Sequence, residues 1–160
     1  MWESANPDLK PENILITKDG DVKLMDLGIA KSLDSAVSLT LAGDILGTPF
    51  YMSPEQIINP KEIYHASDVY SAGCVLYEML SGRPPFVQGE EGIGMADFSI
   101  QQAHVKIMPV HPKSRVPEIP DDLDRIVMEA LEKKPEDRIP GCEEFIRLLD
   151  NVESGAANSI

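Results

Sequence analysis

Four side chains near the start of the sequence have the types and spacing to handle a phosphoryl group. Asp8 and Lys10 stand two apart, Asn13 follows three residues on, and Asp26 opens the triplet Asp26-Leu27-Gly28. An aspartate can accept a proton and a lysine can neutralise phosphate oxygens. An amide oxygen beside a second carboxylate can ligate a hard cation. Phosphoryl transfer needs that set, because its catalysis is positioning plus charge stabilisation. Each residue taken singly also suits ordinary loop chemistry, since Asn at a strand start and Asp at a strand end are common turn residues.

The elements that must position them are short. Ile14-Leu15-Ile16-Thr17 and Val22-Lys23-Leu24-Met25 flank Lys18-Asp19-Gly20-Asp21, and Asp-Gly between two apolar runs is a strong hairpin signal. With Asp19-Gly20 as the two central turn residues, Lys18 faces Asp21 and Asn13 faces Asp26. Opposed residues sit roughly 4.5–5.5 Å apart. The hairpin would therefore present an amide oxygen and a carboxylate side by side. Mg²⁺ uses such ligands when phosphates supply the rest of its shell.

Residues 28–56 show no sustained period, and irregular segments of that length are commonly functional or disordered. The spacing then predicts a helix over 68–80, buried nearly all round, capped by Ser67 or Asp68 and closed by Gly82 before Pro84-Pro85. A glycine- and glutamate-rich loop covers 89–94, and a helix is expected over 95–107. Pro109, Pro112, Pro117 and Pro120 mark an extended connection. An amphipathic helix over 122–134 carries Leu123, Ile126, Val127, Ala130 and Leu131 on one face and lysines in its last turn. A final helix is expected over 142–152, with residues 1–7 an unpatterned leader and 153–160 a flexible tail. The fold class is mainly α with one small β-hairpin.

Composition narrows the function. The 160 residues carry 27 acidic and 14 basic side chains, a formal charge of −13. That balance argues against nucleic acid or an anionic membrane as main partner, because both demand a basic face. Cys74 and Cys142 have no metal-ligand spacing and cannot build a disulfide framework, so a reduced, cytoplasmic setting is the expectation. No apolar stretch approaches the roughly 18 residues of a membrane helix. His65, His104 and His111 have no ligand spacing and read as structural or surface residues, and the methionines as core filler.

Taken together, Asp8-Leu9-Lys10-Pro11-Glu12-Asn13, Asp26-Leu27-Gly28 and Gly47-Thr48-Pro49-Phe50-Tyr51-Met52-Ser53-Pro54-Glu55 resemble three motifs of eukaryotic-type protein kinases: the catalytic loop, the metal-binding triplet and the end of the activation segment. Asp68-Val69-Tyr70-Ser71-Ala72-Gly73 is similar to the start of the family's buried central helix. Lys134-Pro135-Glu136-Asp137-Arg138 is similar to the element before its last helix. The order and spacing agree from Asp8 to Val152.

The resemblance implies a partial protein kinase domain, the C-terminal helical lobe, with ATP and Mg²⁺ as cofactors and protein substrates as partners. By it, Asp8 is the base, Lys10 reaches the transferred phosphate, and Asn13 and Asp26 hold Mg²⁺. The lysine at position 10 points to the serine/threonine branch. Thr48 would bond the catalytic loop, Glu55 would pair with Arg138, and Asp68 would anchor the catalytic-loop backbone. Ser38 and Thr40 fall where the family carries activation-loop phosphorylation sites.

Two departures qualify that picture. The family's His-Arg-Asp is Asn6-Pro7-Asp8 here, and Pro7 cannot grip a phosphorylated loop; Leu27 replaces the usual phenylalanine. The sequence also lacks a glycine-rich loop, a phosphate-binding strand lysine and a hinge, so the N-terminal lobe is missing from it. The isolated chain is therefore expected to be inactive without that lobe. Two alternatives stand beside the enzyme reading: a catalytically inactive kinase-like interaction module, and a truncated piece of a larger protein.

Overall fold

A computed structural model describes residues 8–25, 49–60, 65–90, 93–94 and 96–157. Asn6, Pro7, Asp26, Leu27, Ser38, Thr40 and Thr48 lie outside the described residues. Strands β1 (Ile14–Ile16) and β2 (Val22–Leu24) form a two-stranded antiparallel sheet. Helices follow as α1 (Pro54–Ile58), α2 (His65–Ser81), α3 (Asp97–Lys106), α4 (Pro112–Arg115), α5 (Asp121–Ala130) and α6 (Cys142–Ala157). Single 3₁₀ turns cover Pro11–Asn13, Pro49–Tyr51 and Pro135–Asp137, each opened by a proline whose fixed φ suits a first helical position.

The hairpin forms where expected but in a different register. Ile14 pairs with Leu24, Leu15 with Lys23 and Ile16 with Val22, which sets Asn13 opposite Met25 rather than Asp26. The turn chemistry explains the shift. The Thr17 hydroxyl accepts from the Asp21 N–H at 3.0 Å, and Thr17 N–H donates to the Asp21 carbonyl at 2.8 Å. The loop therefore has three residues, Lys18-Asp19-Gly20. Gly20 takes φ +90°, the left-handed position that closes such loops and that glycine occupies without strain.

Helix α2 is the central column. Ser67, Val69, Tyr70, Ser71, Gly73, Cys74, Val75 and Tyr77 are all buried, while Met79 projects outward at 76% exposure. The expectation that the methionines fill the core fails there, and at the exposed Met25 and Met108. The helix starts at His65, so Ser67 and Asp68 lie inside its first turns rather than at its cap; Ser67 donates to Glu55 Oε1 instead. Gly73 lets α5 approach: a Cβ there would lie 2.8 Å from the Ala130 Cβ.

One face of α2 gathers Tyr51, Tyr70, Cys74, Tyr77, Val127 and Leu131, with Ile14 and Phe50 packed alongside. Another cluster joins Val69 to Ile126, Ala130, Ile139 and Phe145. Phe86, Ile93, Ile100 and Ala103 form a third beneath α3.

Helix boundaries differ from the sequence expectations at several ends. Helix α5 stops at Ala130 with Leu131 as its cap, so Lys133 and Lys134 lie beyond it. Its polypeptide is drawn off into the Pro135–Asp137 turn, where proline restricts the preceding residue to extended backbone. The proline-rich connection contains α4, whose N–H at Lys113 is capped by Asp124 Oδ1 at 2.9 Å. Helix α6 runs to Ala157, five residues past the expected end.

Candidate active site

The Pro11–Asn13 turn folds the start of the described chain back on itself. Lys10 is extended (φ −156°, ψ 162°), and its carbonyl accepts from the Asn13 N–H at 3.0 Å. This brings three of the four candidate residues together. Asn13 Nδ2 donates to the Asp8 carbonyl at 2.8 Å and to Asp8 Oδ2 at 3.1 Å. Lys10 Nζ lies 3.1 Å from Oδ1 and 3.0 Å from Oδ2 of the same carboxylate. Asp8 is thus gripped by a neutral donor and a cation while its side chain stays 41% exposed.

Asn13 commits its amide N–H₂ to Asp8, and its Oδ1 is the acceptor end of the same side chain. Its carbonyl accepts from Met25 N–H at 2.7 Å, which extends the hairpin ladder by one rung. The donor set is hard oxygen with an ammonium beside it, and that fits a divalent cation carrying phosphate. Among the described residues, no three His, Cys, Asp or Glu side chains come together as a metal site.

Away from this triangle, Glu55 and Arg138 meet as a bidentate pair, Nη1–Oε1 at 2.6 Å and Nη2–Oε2 at 2.7 Å. Arg138 is fully buried on its side chain and uses all five of its N–H donors. Besides Glu55, they reach the carbonyls of Ala66 (2.9 Å), Glu132 (2.7 Å) and Lys133 (3.0 Å). The guanidinium also sits 4.9 Å from the Tyr70 ring centroid. Burial pushes the Glu55 carboxyl upward, but the hydrogen bonds from Arg138 and Ser67 outweigh it and hold the group below the ordinary carboxylate range. One side chain thereby ties α1, α2 and the loop after α5 together. Asp68 lies on α2, partly exposed.

Sequence reasoning missed a second fastening beside this pair. Tyr51 OH donates to Glu78 Oε2 at 2.6 Å, and Ser71 Oγ donates to the Tyr51 carbonyl at 2.8 Å. Burial, then Glu78, pushes the Tyr51 phenol well up. The signal was available, since Ser71 and Glu78 are seven apart and share one face of α2. The two fastenings hold Tyr51 and Glu55 against the helical body.

A model of the protein kinase domain matches residues 6–147. The chain is similar to serine/threonine-protein kinase PknB of Mycobacterium leprae, 42% identical over 148 residues, 92% of this chain and 23% of that protein. It is 42% identical over 139 residues to a probable serine/threonine-protein kinase PknB of Bifidobacterium longum, 86% of this chain and 19% of the relative. A probable serine/threonine-protein kinase of Streptomyces coelicolor is 40% identical over 139 residues, 20% of its length. The chain thus spans about a fifth to a quarter of the curated relatives it matches. Among the described residues, no helix is long and apolar enough to cross a membrane. A helical body with one small hairpin, the Asp8–Lys10–Asn13 triangle and a family match over nearly its whole length lead to one conclusion: this chain belongs to the protein kinase domain family, and its relatives are serine/threonine kinases.

Proposed function

We propose that this domain transfers the γ-phosphoryl group of ATP to serine or threonine hydroxyls of protein substrates in the cytoplasm, with Mg²⁺ as the metal. The observation that carries the proposal is the Asp8–Lys10–Asn13 triangle, a carboxylate held by an amide and an ammonium while remaining accessible. Asp8 takes the proton of the acceptor hydroxyl. Lys10, within 3.1 Å of that carboxylate, also meets oxygens of the transferred group. Asn13 Oδ1 and Asp26 hold the metal. When bound, Mg²⁺ and ATP supply the phosphoryl donor and the neutralising charge.

The remaining roles follow from the framework. Thr48 bonds the catalytic loop and shapes the acceptor site. The Glu55–Arg138 pair keeps the segment that follows it seated, and Ser38 and Thr40 are phosphorylation sites. Hairpin residues Leu15, Ile16, Val22 and Leu24 are exposed, which suits a surface covered by an N-terminal lobe that completes the nucleotide cleft. The 160 residues alone supply the base and the metal ligands but no glycine-rich phosphate loop, so turnover requires that second lobe.

The test is phosphoamino-acid analysis of an acceptor protein incubated with the natively expressed protein and Mg-ATP. Phosphoserine or phosphothreonine, lost on metal chelation, is the expected product. Phosphotyrosine alone, or metal-independent labelling, overturns the reading.

A further inference from the structure

Tyr70 presents its ring to Arg138 and its hydroxyl to a second buried cluster. His104, in the last turn of α3, is fully buried and sits edge-on to the Tyr70 and Phe86 rings, at 5.7 and 4.9 Å between centroids. Lys133 Nζ donates to the Tyr70 oxygen at 3.2 Å and lies 5.0 Å from the Phe86 ring centroid. The Tyr70 oxygen is 2.9 Å from His104 Nδ1.

This arrangement favours a neutral imidazole. With Lys133 donating to the Tyr70 oxygen, the arrangement that satisfies both groups sends the phenolic hydrogen to Nδ1. The ring proton is then on Nε2, which has no hydrogen-bond partner among the described residues. In an imidazolium both nitrogens donate. Protonation would turn Nδ1–H against the Tyr70 oxygen, strand the phenolic hydrogen, and set a second cation against the Lys133 ammonium.

Among the described residues, no carboxylate stands ready to answer that charge. On α1, Glu55 serves Arg138 and Ser67. In the Pro49–Tyr51 turn, Tyr51 donates to Glu78, and the Phe50 backbone, which favours the charged ring, does not offset burial and Lys133. On α2, Cys74 is buried and its thiol is pushed far up by that burial, so it stays uncharged. At the start of α3, Asp97 accepts from Gln88.

We propose that His104 is an acid-sensitive latch: as a neutral acceptor from Tyr70 it holds α3 on the body of the domain, and protonation releases that helix. The latch closes over Phe86, Ile100 and Ala103, so release opens that apolar cluster and frees α3 from α1 and the Pro49–Tyr51 turn. It is a conformational device in the fold and does not depend on the catalytic reading.

The electrostatics set its working range. Burial first, then the Lys133 ammonium, push His104 down to about 3 in the closed state, while an opened histidine titrates near 6.5. A group whose pKa is lowered on closing stabilises the closed form above the open-state value and loses that contribution as pH falls. Lys133, pushed down to about 8 by burial, stays charged in both states below neutrality and adds no slope there. Opening of α3 should therefore rise roughly 30-fold from pH 7.5 to pH 5, a factor of ten for each unit below the open-state value.

Hydrogen–deuterium exchange of the 160-residue chain at pH 7.5 and 5.0, corrected for intrinsic rates, tests this. The amides of α3 should open about 30-fold more at pH 5, while those of α5 change less than threefold. A flat α3, or α5 accelerating equally, overturns the latch. His104→Asn keeps an acceptor near Nδ1 but cannot take the proton, so its α3 should lose the pH dependence; retention of the full 30-fold effect overturns the assignment. Should that variant not fold, the imidazole resonance of His104 in the unaltered chain decides. A neutral ring down to pH 5 supports the latch, and a midpoint near 6.5 refutes it.

Discussion

Removing Arg138 is a severe perturbation outside the hydrophobic core. Its guanidinium is fully buried and makes five hydrogen bonds, two to Glu55 and three to backbone carbonyls of Ala66, Glu132 and Lys133. Arg138→Met keeps much of the side-chain bulk but strands Glu55, whose side chain is only 12% exposed, together with those carbonyls. Breaking a buried pair from one side costs about 3–5 kcal/mol, because the remaining charge has lost both its partner and its water. For a domain of this size each kcal/mol moves the melting temperature by roughly 2–4 °C, so the expected fall is roughly 6–20 °C.

Glu55→Gln combined with Arg138→Met removes the stranded charge and should recover part of the loss. Arg138→Lys retains the charge but only three donors for five acceptors, and should fall between. Arg147, 61% exposed on α6, is the proper surface control. Arg115 would be a poor one, because its side chain is only 13% exposed and bridges to Glu90. Thermal and urea unfolding followed by circular dichroism read all four variants. If Arg138→Met melts within 2 °C of Arg147→Ala, the reasoning about the buried pair is wrong.

Acid should erode the same pair. Glu55 is held below its unfolded value, so its contribution is complete above the ordinary carboxylate pKa and is lost as pH falls through the lowered one; urea titrations between pH 6 and 3 should show a shallower stability loss in Glu55→Gln. Gly73→Val places branched bulk where even a Cβ meets Ala130 at 2.8 Å, and should cost about 1–3 kcal/mol in urea unfolding. Cys74 is fully buried with its thiol pushed far up, whereas Cys142 is exposed, so a thiol reagent should label one cysteine in the native protein and two after denaturation. Added Mg²⁺ or Mn²⁺ should raise the melting temperature, and Asp26→Ala should abolish that shift; a shift that survives would remove Asp26 from the metal site.

The amphipathic faces were legible because period and burial coincide. Ile126, Val127, Ala130 and Leu131 could be read directly from their spacing, and each is buried. Asp8, Lys10 and Asn13 were legible as a set because a single turn suffices to bring them together. The hairpin register was not, since it was decided by the Thr17 hydroxyl capturing the Asp21 N–H and by a three-residue loop that the Asp-Gly pair alone does not specify. Helix α5 was overrun by four residues because lysines continue a helical pattern in sequence, while Pro135 turns the backbone out of it. The His104–Tyr70–Lys133 cluster was invisible for another reason: residues 34 and 63 positions apart meet only once α3 and the loop after α5 have packed on α2.

The central claim, that Asp8 is the base of a phosphoryl transfer, is tested most directly by comparing Asp8→Asn with the unaltered, natively expressed protein. Transfer of the γ-phosphoryl group to an acceptor peptide and affinity for Mg-ATP would be measured on the same samples. The account predicts that transfer falls by at least a hundredfold, the scale of a lost general base, while Mg-ATP affinity changes little. Equal transfer by both proteins would contradict it.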